Sequence, residues 1–177
     1  MAAVDYFLKI DGIDGESHDA KHKGEIDVLS FSLSAAQEGT GSTGGGSGAG
    51  KVRFNDLHII KILDKSSPKL MLACASGQHI PTAFLYLRKA GGEQQEFSKV
   101  KLSDVFVSSY QSGGYDGGTE ADSFDKVKIH IENPVAPVEY LSLNFAKIEF
   151  EYKEQQKDGT MGGAVSGGWD LKANKKL

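Results

Sequence analysis

The sequence predicts a mainly β fold, an antiparallel barrel or sandwich with one short helix and one long glycine-rich extended loop. Seven or eight segments alternate apolar and polar residues with the period of two that is typical of a half-buried strand. A single segment, which begins at Ser66, combines residues that start a helix with residues that end one. Residues 39–51 hold seven of the 22 glycines and no apolar side chain larger than Ala49, so they cannot form a core.

Length and charge narrow the class of protein. A chain of 177 residues with 39% hydrophobic content predicts a single domain, residues 1–177. Its net charge of -4 does not favour nucleic acid or an anionic membrane as a partner. The sequence has no long uninterrupted apolar segment, so we expect no membrane insertion. The first residues lack the charged and apolar regions of a Sec signal peptide, so any export would need another machine.

The first two predicted strands differ in the side chains that they carry opposite the predicted core face. In residues 4–10, Leu8 belongs to the predicted core face and Phe7 to the opposite face. In residues 25–34, the predicted core face consists of Leu29, Phe31 and Leu33. The other face carries Ser30, Ser32 and Ser34, which are small, polar and uncharged. This serine face is either an ordinary solvated sheet face or a surface of short side chains that contacts a polar partner.

The predicted helix has clear boundaries. Ser66 is a favoured N-cap residue, and Pro68 fits the first turn because its missing N–H would have no helical partner there. Gly77 fits the residue that ends the helix with a positive φ. Cys74 lies among apolar helix residues, which indicates a buried inert thiol; a single cysteine also excludes a disulfide framework.

The later strands carry signs of bending. Residues 52–63, 82–88, 97–110, 126–131, 140–152 and 165–171 have strand character. The apolar phase of residues 97–110 switches near Ser103 and Asp104, and residues 140–152 switch in the same way. Such switches fit bulges where strands bend around a barrel corner. The basic tail, residues 172–177, is expected to be frayed.

The glycine-rich loop invites a phosphate-binding hypothesis. The segment that begins with Gly45 and ends with Lys51 matches the pattern of a nucleotide-binding loop. That pattern requires Ser or Thr after the lysine and a helix that follows, whereas here Val52 begins a predicted strand. Nucleotide or phosphate binding is therefore only the alternative function; the other interpretation of the loop is a long arm whose partner is another protein.

The sequence contains no convincing catalytic or metal-binding motif. His18 and His22 have helical i, i+4 spacing, but no glutamate follows the first histidine and no third ligand cluster is evident, so we predict loop histidines. Ser108 and Ser109 lack a nucleophile motif, and the carboxylates are scattered. We therefore expect no catalytic residue, no metal and no cofactor, which favours a structural or binding protein over an enzyme.

Segments along nearly the whole chain match a known family in order and spacing. The matching segments are Val4-Asp5, Phe7, Lys9-Ile10, Gly15-Glu16-Ser17, EIDVL from Glu25, Gly44-Gly45-Gly46, Gly48 to Val52, Asp64-Lys65-Ser66, Pro68, Leu70-Met71, Ala73-Cys74, Ser76-Gly77, His79, RKAGGE from Arg88, Val107-Ser108-Ser109, LNFA from Leu143, Asp158-Gly159 and Gly168-Trp169. In these segments the chain resembles the Hcp (haemolysin-coregulated protein) family of bacterial type VI secretion.

The resemblance implies a fold and a function. The fold would be a small antiparallel β-barrel with one short flanking α-helix. Six copies would form a ring, and stacked rings would form a tube that a contractile sheath propels from the bacterial cytoplasm behind a spike-tip protein. Small effector proteins would travel in the lumen, which makes the protein an effector chaperone. A specialised cargo carrier that builds no tube is a further alternative.

The resemblance also assigns roles to the unexplained residues. Ser30, Ser32 and Ser34 become candidates for the lumen wall that faces cargo. The glycine-rich arm becomes a candidate for contact between subunits or rings, through Thr40, Gly41, Gly44, Gly45, Gly46, Ser47 and Gly48. Residues 115–139 exceed the length of the family members and are expected to form an inserted hairpin on the ring surface.

Overall fold

The computed structural model describes residues 4–37, 51–89, 94–113 and 137–177. These ranges contain eleven strands and one helix, α1 (Ser67–Ser76). The strands are β1 (Val4–Ile10), β2 (Ile26–Val28), β3 (Ser30–Ser32), β4 (Ala35–Ala36), β5 (Arg53–Phe54), β6 (Leu57–Ile62), β7 (Ile80–Lys89), β8 (Glu96–Gly113), β9 (Val138–Gln155), β10 (Met161–Asp170) and β11 (Lys175–Lys176).

The antiparallel ladders of the main sheet close on themselves. β1 pairs with β2 and β7, β7 with β8, β8 with β9, β9 with β6, and β6 with β3. β2 and β3 are separated only by Leu29, whose N–H donates to the Ile60 carbonyl at 2.8 Å. With β2 and β3 taken as one bent strand, the ladders run in a complete cycle, which is the arrangement of a small barrel.

The strand β9 belongs both to the barrel and to the β9–β10 hairpin. Its first part pairs with β6, from Val138 to Leu143, and its second part pairs with β10, from Lys147 onward. β8 follows it along almost its whole length. The β9–β10 hairpin therefore continues beyond the barrel, and β11 adds a short strand on the outer side of β10.

The core fills the barrel with branched aliphatic side chains. Fully buried members include Leu8, Ile26, Leu57, Leu102 and Leu143. Each such side chain contributes about 1.5–3 kcal/mol of burial free energy. The alternation of β1 and β6–β9 thus places one face of each ladder inside the barrel, as the periodicity predicts.

The helix α1 ends where the sequence predicts. Gly77 adopts a left-handed backbone with φ 62°, and its N–H and that of Gln78 donate to the last helical carbonyls. Ser66 occupies the N-cap position, but its hydroxyl donates to Asp64 rather than capping the helix. Leu70 and Ala73 face the core beside β8.

The phase switch predicted in β8 is present, but the register shift that marks a bulge lies further along the strand, between Val107 and Ser109. Asp104 has a left-handed backbone with φ 53°, which is rare for a residue other than glycine. The buried positions shift there from Val100 and Leu102 to Val105 and Val107. The phase switch therefore reflects a local kink in a strand that keeps its pairing with β9.

Two core assignments from the sequence were wrong. Leu29 was expected on the core face, but it lies at the break between β2 and β3 and is 39% exposed. Phe7 was expected on the outer face, yet it is buried because residues 15–25 fold over that side of β1. The tail was also mispredicted as frayed: Lys175 and Lys176 form β11 against Trp169 and Asp170.

The expected insertion, residues 115–139, is described only at its end. Val138 and Glu139 are the first two residues of β9 and both are buried. Residues 115–136, including the predicted strand 126–131, lie outside the described residues. On the two sides of this segment, Gly113 pairs with Val138, and the Leu63 N–H donates to the Pro137 carbonyl at 2.9 Å.

Candidate interaction surfaces

The serine face of the sequence lies on the outside of the barrel. Ser30 pairs with Ile60 and Ser32 with His58 in the β3–β6 ladder. Phe31, between them, packs against the core, so the two serines point outward. Ser30 is half-buried and Ser32 is exposed. Just beyond the strand, Ser34 is also exposed, and its hydroxyl accepts a hydrogen bond from the Asn55 side chain at 2.7 Å.

The outward row that contains Ser32 continues across three further strands. His58 pairs with Ser142 on β9, and Ser142 pairs with Ser109 on β8. The His58 Nδ1 and the Ser142 Oγ lie 2.8 Å apart. Of this row, Ser32–His58–Ser142–Ser109, only Ser32 and His58 reach the surface, because Ser142 is 3% exposed and the Ser109 Oγ is buried.

The polar surface is fixed by internal hydrogen bonds at its edge. Asp56 accepts hydrogen bonds from the Asn144 side chain at 2.8 Å and from the Ser108 hydroxyl. Ser108 also contacts the Ser142 carbonyl at 3.1 Å. Asp56 and Asn144 thus tie β6 to β9 beside the row. The sequence alone could not identify this cluster, because its members are separated by up to 88 positions.

A buried ion pair lies on the inner face of the same ladder. Lys61 Nζ lies 2.6 Å from Glu139 Oε2, and both side chains are fully buried. The Ser67 hydroxyl donates to Glu139 at 2.7 Å, and Tyr110 donates to the other carboxylate oxygen. Burial raises the pKa of Tyr110 to about 12, and the bond to Glu139 adds to the shift. Lys61 also contacts Asp64 at 2.9 Å. The cluster ties the start of α1 to β6, β8 and β9.

His22 is the buried centre of a second packed layer outside the barrel. Its ring stacks on Phe7 with centroids 4.3 Å apart and contacts Tyr86 at 5.1 Å. Nδ1 lies 2.8 Å from Glu25, whereas Nε2 contacts Glu96 at 3.3 Å without hydrogen-bond geometry. The loop prediction for His22 is correct, but the residue is a packing element rather than a solvated histidine.

Arg88 secures the same layer. It lies 3.0 Å from Asp5 and 2.7 Å from Asp19, and its guanidinium covers the Phe7 ring. Burial alone would raise the pKa of Asp19, but hydrogen bonds from Arg88 and from the Lys21 and His22 amides outweigh burial and lower it. The loop of residues 15–25 is thereby attached to β1 and β7.

An apolar groove of about 410 Å³ lies between the β4–β5 ribbon and the β9–β10 hairpin. Its walls are mainly Leu33, Phe54, Phe150 and Trp169. Phe150 is 47% exposed, and Val165 on the neighbouring strand is 71% exposed. The core face of β9 therefore continues past the barrel into an uncovered apolar surface.

The nucleotide-loop alternative gains no support. Lys51 is exposed and leads into the strand β5, so the helix N-terminus that binds phosphate in such loops is missing after it. The arm residues from Thr40 to Gly48 lie outside the described residues. Cys74 is half-buried and packs against the core, less enclosed than the sequence suggested.

The described residues also bear on metal sites and membrane-spanning helices. Within residues 4–37, 51–89, 94–113 and 137–177, no three His, Cys, Asp or Glu side chains form a group that could hold a metal ion. In the same ranges, no helix has the length and apolar character needed to cross a membrane.

Comparisons with known proteins agree with the resemblance. The family model described as "Type VI secretion system effector, Hcp" matches residues 7–152. Protein hcp1 of Pseudomonas aeruginosa is 44% identical over 174 residues, covering 97% of this chain and 98% of that protein. The crystal structure of Hcp1 from Salmonella typhimurium has 38% identity and a TM-score of 0.76, with both chains covered completely.

A further solved structure, described as a type six secretion system protein, has 34% identity and a TM-score of 0.85 and covers 99% of this chain and 100% of that chain. The sequence match and the fold match therefore extend over essentially the same residues. Because the family model spans most of the chain and the curated relative spans nearly all of it, the protein belongs to the Hcp family of type VI secretion.

Proposed function

We propose that this protein is the ring-forming subunit of the inner tube of a type VI secretion system. Six copies close into a ring, and the rings stack into a tube. The observation that carries this function is the family match along nearly the whole chain, combined with the shared fold. Closing a ring requires a heterologous interface, in which two different surfaces of one subunit meet the neighbours on either side.

The lumen wall is the second part of the proposal. The outward position of Ser30 and Ser32 and the exposure of Ser34 support their assignment to the surface that small effector proteins contact. Hydroxyl groups would let a carried protein slide and exchange without strong charge trapping. His58, which is partly exposed, would extend the same wall, and the buried Ser142 lies within hydrogen-bond distance of its ring.

The glycine-rich arm is proposed as a contact between subunits or between rings. The described residues on either side of it pair as β4 and β5, with Ala35 opposite Phe54 and Ala36 opposite Arg53. Both ends of the arm thus start from neighbouring strands beside the apolar groove. Thr40, Gly41, Gly44, Gly45, Gly46, Ser47 and Gly48 have small or absent side chains, which permits close backbone approach to another copy.

The remaining partners follow from the place of a tube in such a machine. We propose that the protein resides in the bacterial cytoplasm before firing and is then secreted by the type VI system. A contractile sheath surrounds the tube, a spike-tip protein precedes it, and the role requires no catalysis, nucleic acid or membrane insertion.

The test is the mass of the purified chain. Mass photometry and negative-stain imaging over a range of concentrations should reveal rings of six copies of the 19.0 kDa chain. A protein that stays monomeric at the highest concentration, with no ring in the images, would contradict the proposed function.

A further inference from the structure

Residues 171–177 fold back along the outer side of β10. Asp170 and Trp169 pair with Lys175 and Lys176, and the Leu177 N–H donates to the Gly168 carbonyl at 3.1 Å. In the described part of the chain, residues 161–167 of β10 pair only with β9. The outer edge of β10 is therefore covered at its last three residues and open along the rest.

One end of this segment is held by charge. Lys172 Nζ forms an ion pair with Asp104 at the kink of β8, and His79 Nδ1 lies 2.8 Å from the same carboxylate. Hydrogen bonds from Lys172 and then His79 hold the pKa of Asp104 below its usual range. All three side chains are exposed, so solvent and salt weaken this contact.

The other end is held by a close fit. A Cβ atom on Gly168 would lie 3.1 Å from the Leu177 Cβ and 3.1 Å from the Ile148 carbonyl. A Cβ on the neighbouring Gly167 would meet nothing within 4 Å. Glycine at 168 thus leaves the space in which Leu177 sits.

A hollow of about 570 Å³ lies on the outer face of β8 and β9, and Lys172 and Leu177 of the segment line one side of it. The charged groups that face Asp104 across this hollow are Lys101, Lys147 and Glu149, and residues 172–177 are exposed. Leu171 stays in place, because it packs against the core and its N–H donates to the Ala146 carbonyl at 2.8 Å. Residues 172–177 can therefore leave the sheet without opening the core.

We propose that residues 172–177 form a releasable strap that guards the edge of β10 against strand addition by a second copy of this chain. An open sheet edge is a template for pairing with another strand. With the strap closed, an added strand can pair only as far as Gly167; with the strap released, the edge extends through Trp169 to Asp170. The proposal rests on the proposed ring in one respect: the added strand is assigned to a second copy of this chain because the chain is proposed to assemble with itself.

The strap is expected to open on acidification. A carboxylate whose pKa is lowered in the folded state stabilises the fold above its unfolded pKa, and that stabilisation is lost as the pH falls through the folded value. Protonated Asp104 can no longer pair with Lys172 or with His79. High salt should act in the same direction by screening the exposed pair.

The test compares two adjacent glycines. Native protein is treated with trypsin, and cleavage after Lys172 is followed by mass spectrometry. Gly168→Ala should raise the cleavage rate roughly threefold to tenfold, because the added methyl group occupies the space in which Leu177 packs. Gly167→Ala should keep the parent rate. Leu177→Ala removes the same contact from the strap side without touching β9, and Asp104→Asn removes the charge contact. Equal rates in all variants would overturn the strap.

Light scattering on the same variants tests whether the strap prevents association of one copy of the chain with another. Leu177→Ala should form species larger than those of the parent, and Gly167→Ala should not. Release of the strap without any added association would overturn the guarding role. Failure of the parent chain to form rings would contradict the proposed function alone, because the proteolysis comparison requires only a folded subunit.

Discussion

Lys61 Nζ lies 2.6 Å from Glu139 Oε2 inside the barrel, and neither side chain reaches solvent. Taking two charges out of water is costly, so such a pair persists only where further hydrogen bonds complete it. Asp64, Ser67 and Tyr110 supply those bonds here. The pair thereby fixes the position of α1 relative to the strands on which it packs.

Removing one partner of this pair should be far more costly than removing both. Glu139→Leu removes the buried partner of Lys61 and leaves its ammonium with Asp64 alone, and we expect the free energy of unfolding to fall by about 3–5 kcal/mol. The double variant Lys61→Met with Glu139→Leu should recover most of that loss. Urea unfolding measures both. The exposed pair Lys101–Glu149 is the control: Glu149→Gln should change stability by about 1 kcal/mol at most. Equal losses for the single and double variants would contradict the interpretation.

The two loop histidines should respond differently to the same substitution. His22→Ala removes a buried ring stacked on Phe7 together with its contact to Glu25, and we expect a loss of about 1–3 kcal/mol. His18 is exposed, so His18→Ala should remain within about 0.5 kcal/mol of the parent. Thermal unfolding of the two variants in one buffer is the measurement. A similar loss from both would argue against the packed layer.

Tyr110 should contribute to unfolding at high pH. Its pKa is raised to about 12, mainly by burial and then by Glu139. A folded pKa above the unfolded value of about 10 stabilises the fold fully below pH 10, and that stabilisation disappears as the pH rises through 12. Tyr110→Phe should therefore lose less stability than the parent between pH 10 and 12, as measured by urea unfolding. Parallel pH profiles would exclude this role.

A bulky charge at Ser32 should block cargo and spare the ring. Ser32→Arg places a long cation on the exposed polar row, where the proposed cargo would lie. The control is Ser76→Arg, an exposed serine at the end of α1. Co-purification of a co-expressed effector and the mass of the ring are measured for both variants. If Ser32→Arg rings retain the effector, the lumen assignment is wrong.

Deletion of residues 40–48 should weaken ring stacking while the barrel stays folded. The deletion begins beyond β4 and ends before β5, so the described ladders remain intact. Circular dichroism and thermal unfolding report the barrel, and electron microscopy of concentrated protein reports tubes. A replacement of the same residues by an equally long Gly-Ser sequence separates the length of the arm from its composition. Normal tubes from the deletion would refute the proposed contact.

Local patterns predicted those features of the fold that depend on neighbours in the chain. The left-handed Gly77 and the kink at Asp104 both leave a local trace, a glycine at a helix end and a change of apolar phase. The resemblance to a family then supplied the closed barrel and the ring, which no local pattern contains.

Long-range contacts account for what the sequence did not reveal. Phe7 occupies the polar phase of β1, yet the loop that carries His22 covers it. Lys61 lies in an apolar run, and nothing near it in the chain identifies Glu139 as its partner. The tail is rich in lysine, but Asp104 and Gly168 supply the contacts that order it. The candidate lumen surface was visible only at Ser30, Ser32 and Ser34, because His58 joins it through its strand register with Ser32.

The double use of β9 has a consequence for the order of folding. Tyr152 meets Val165 across 13 positions within one hairpin, whereas Leu57 meets Leu143 across 86 positions. Contacts between distant parts of a chain carry a larger loop-closure entropy and form more slowly. The hairpin should therefore form early and closure of the barrel through β6 should come late. Until then the exposed apolar face of β9 would be open to wrong partners, so the period before closure is when a chaperone would be most useful.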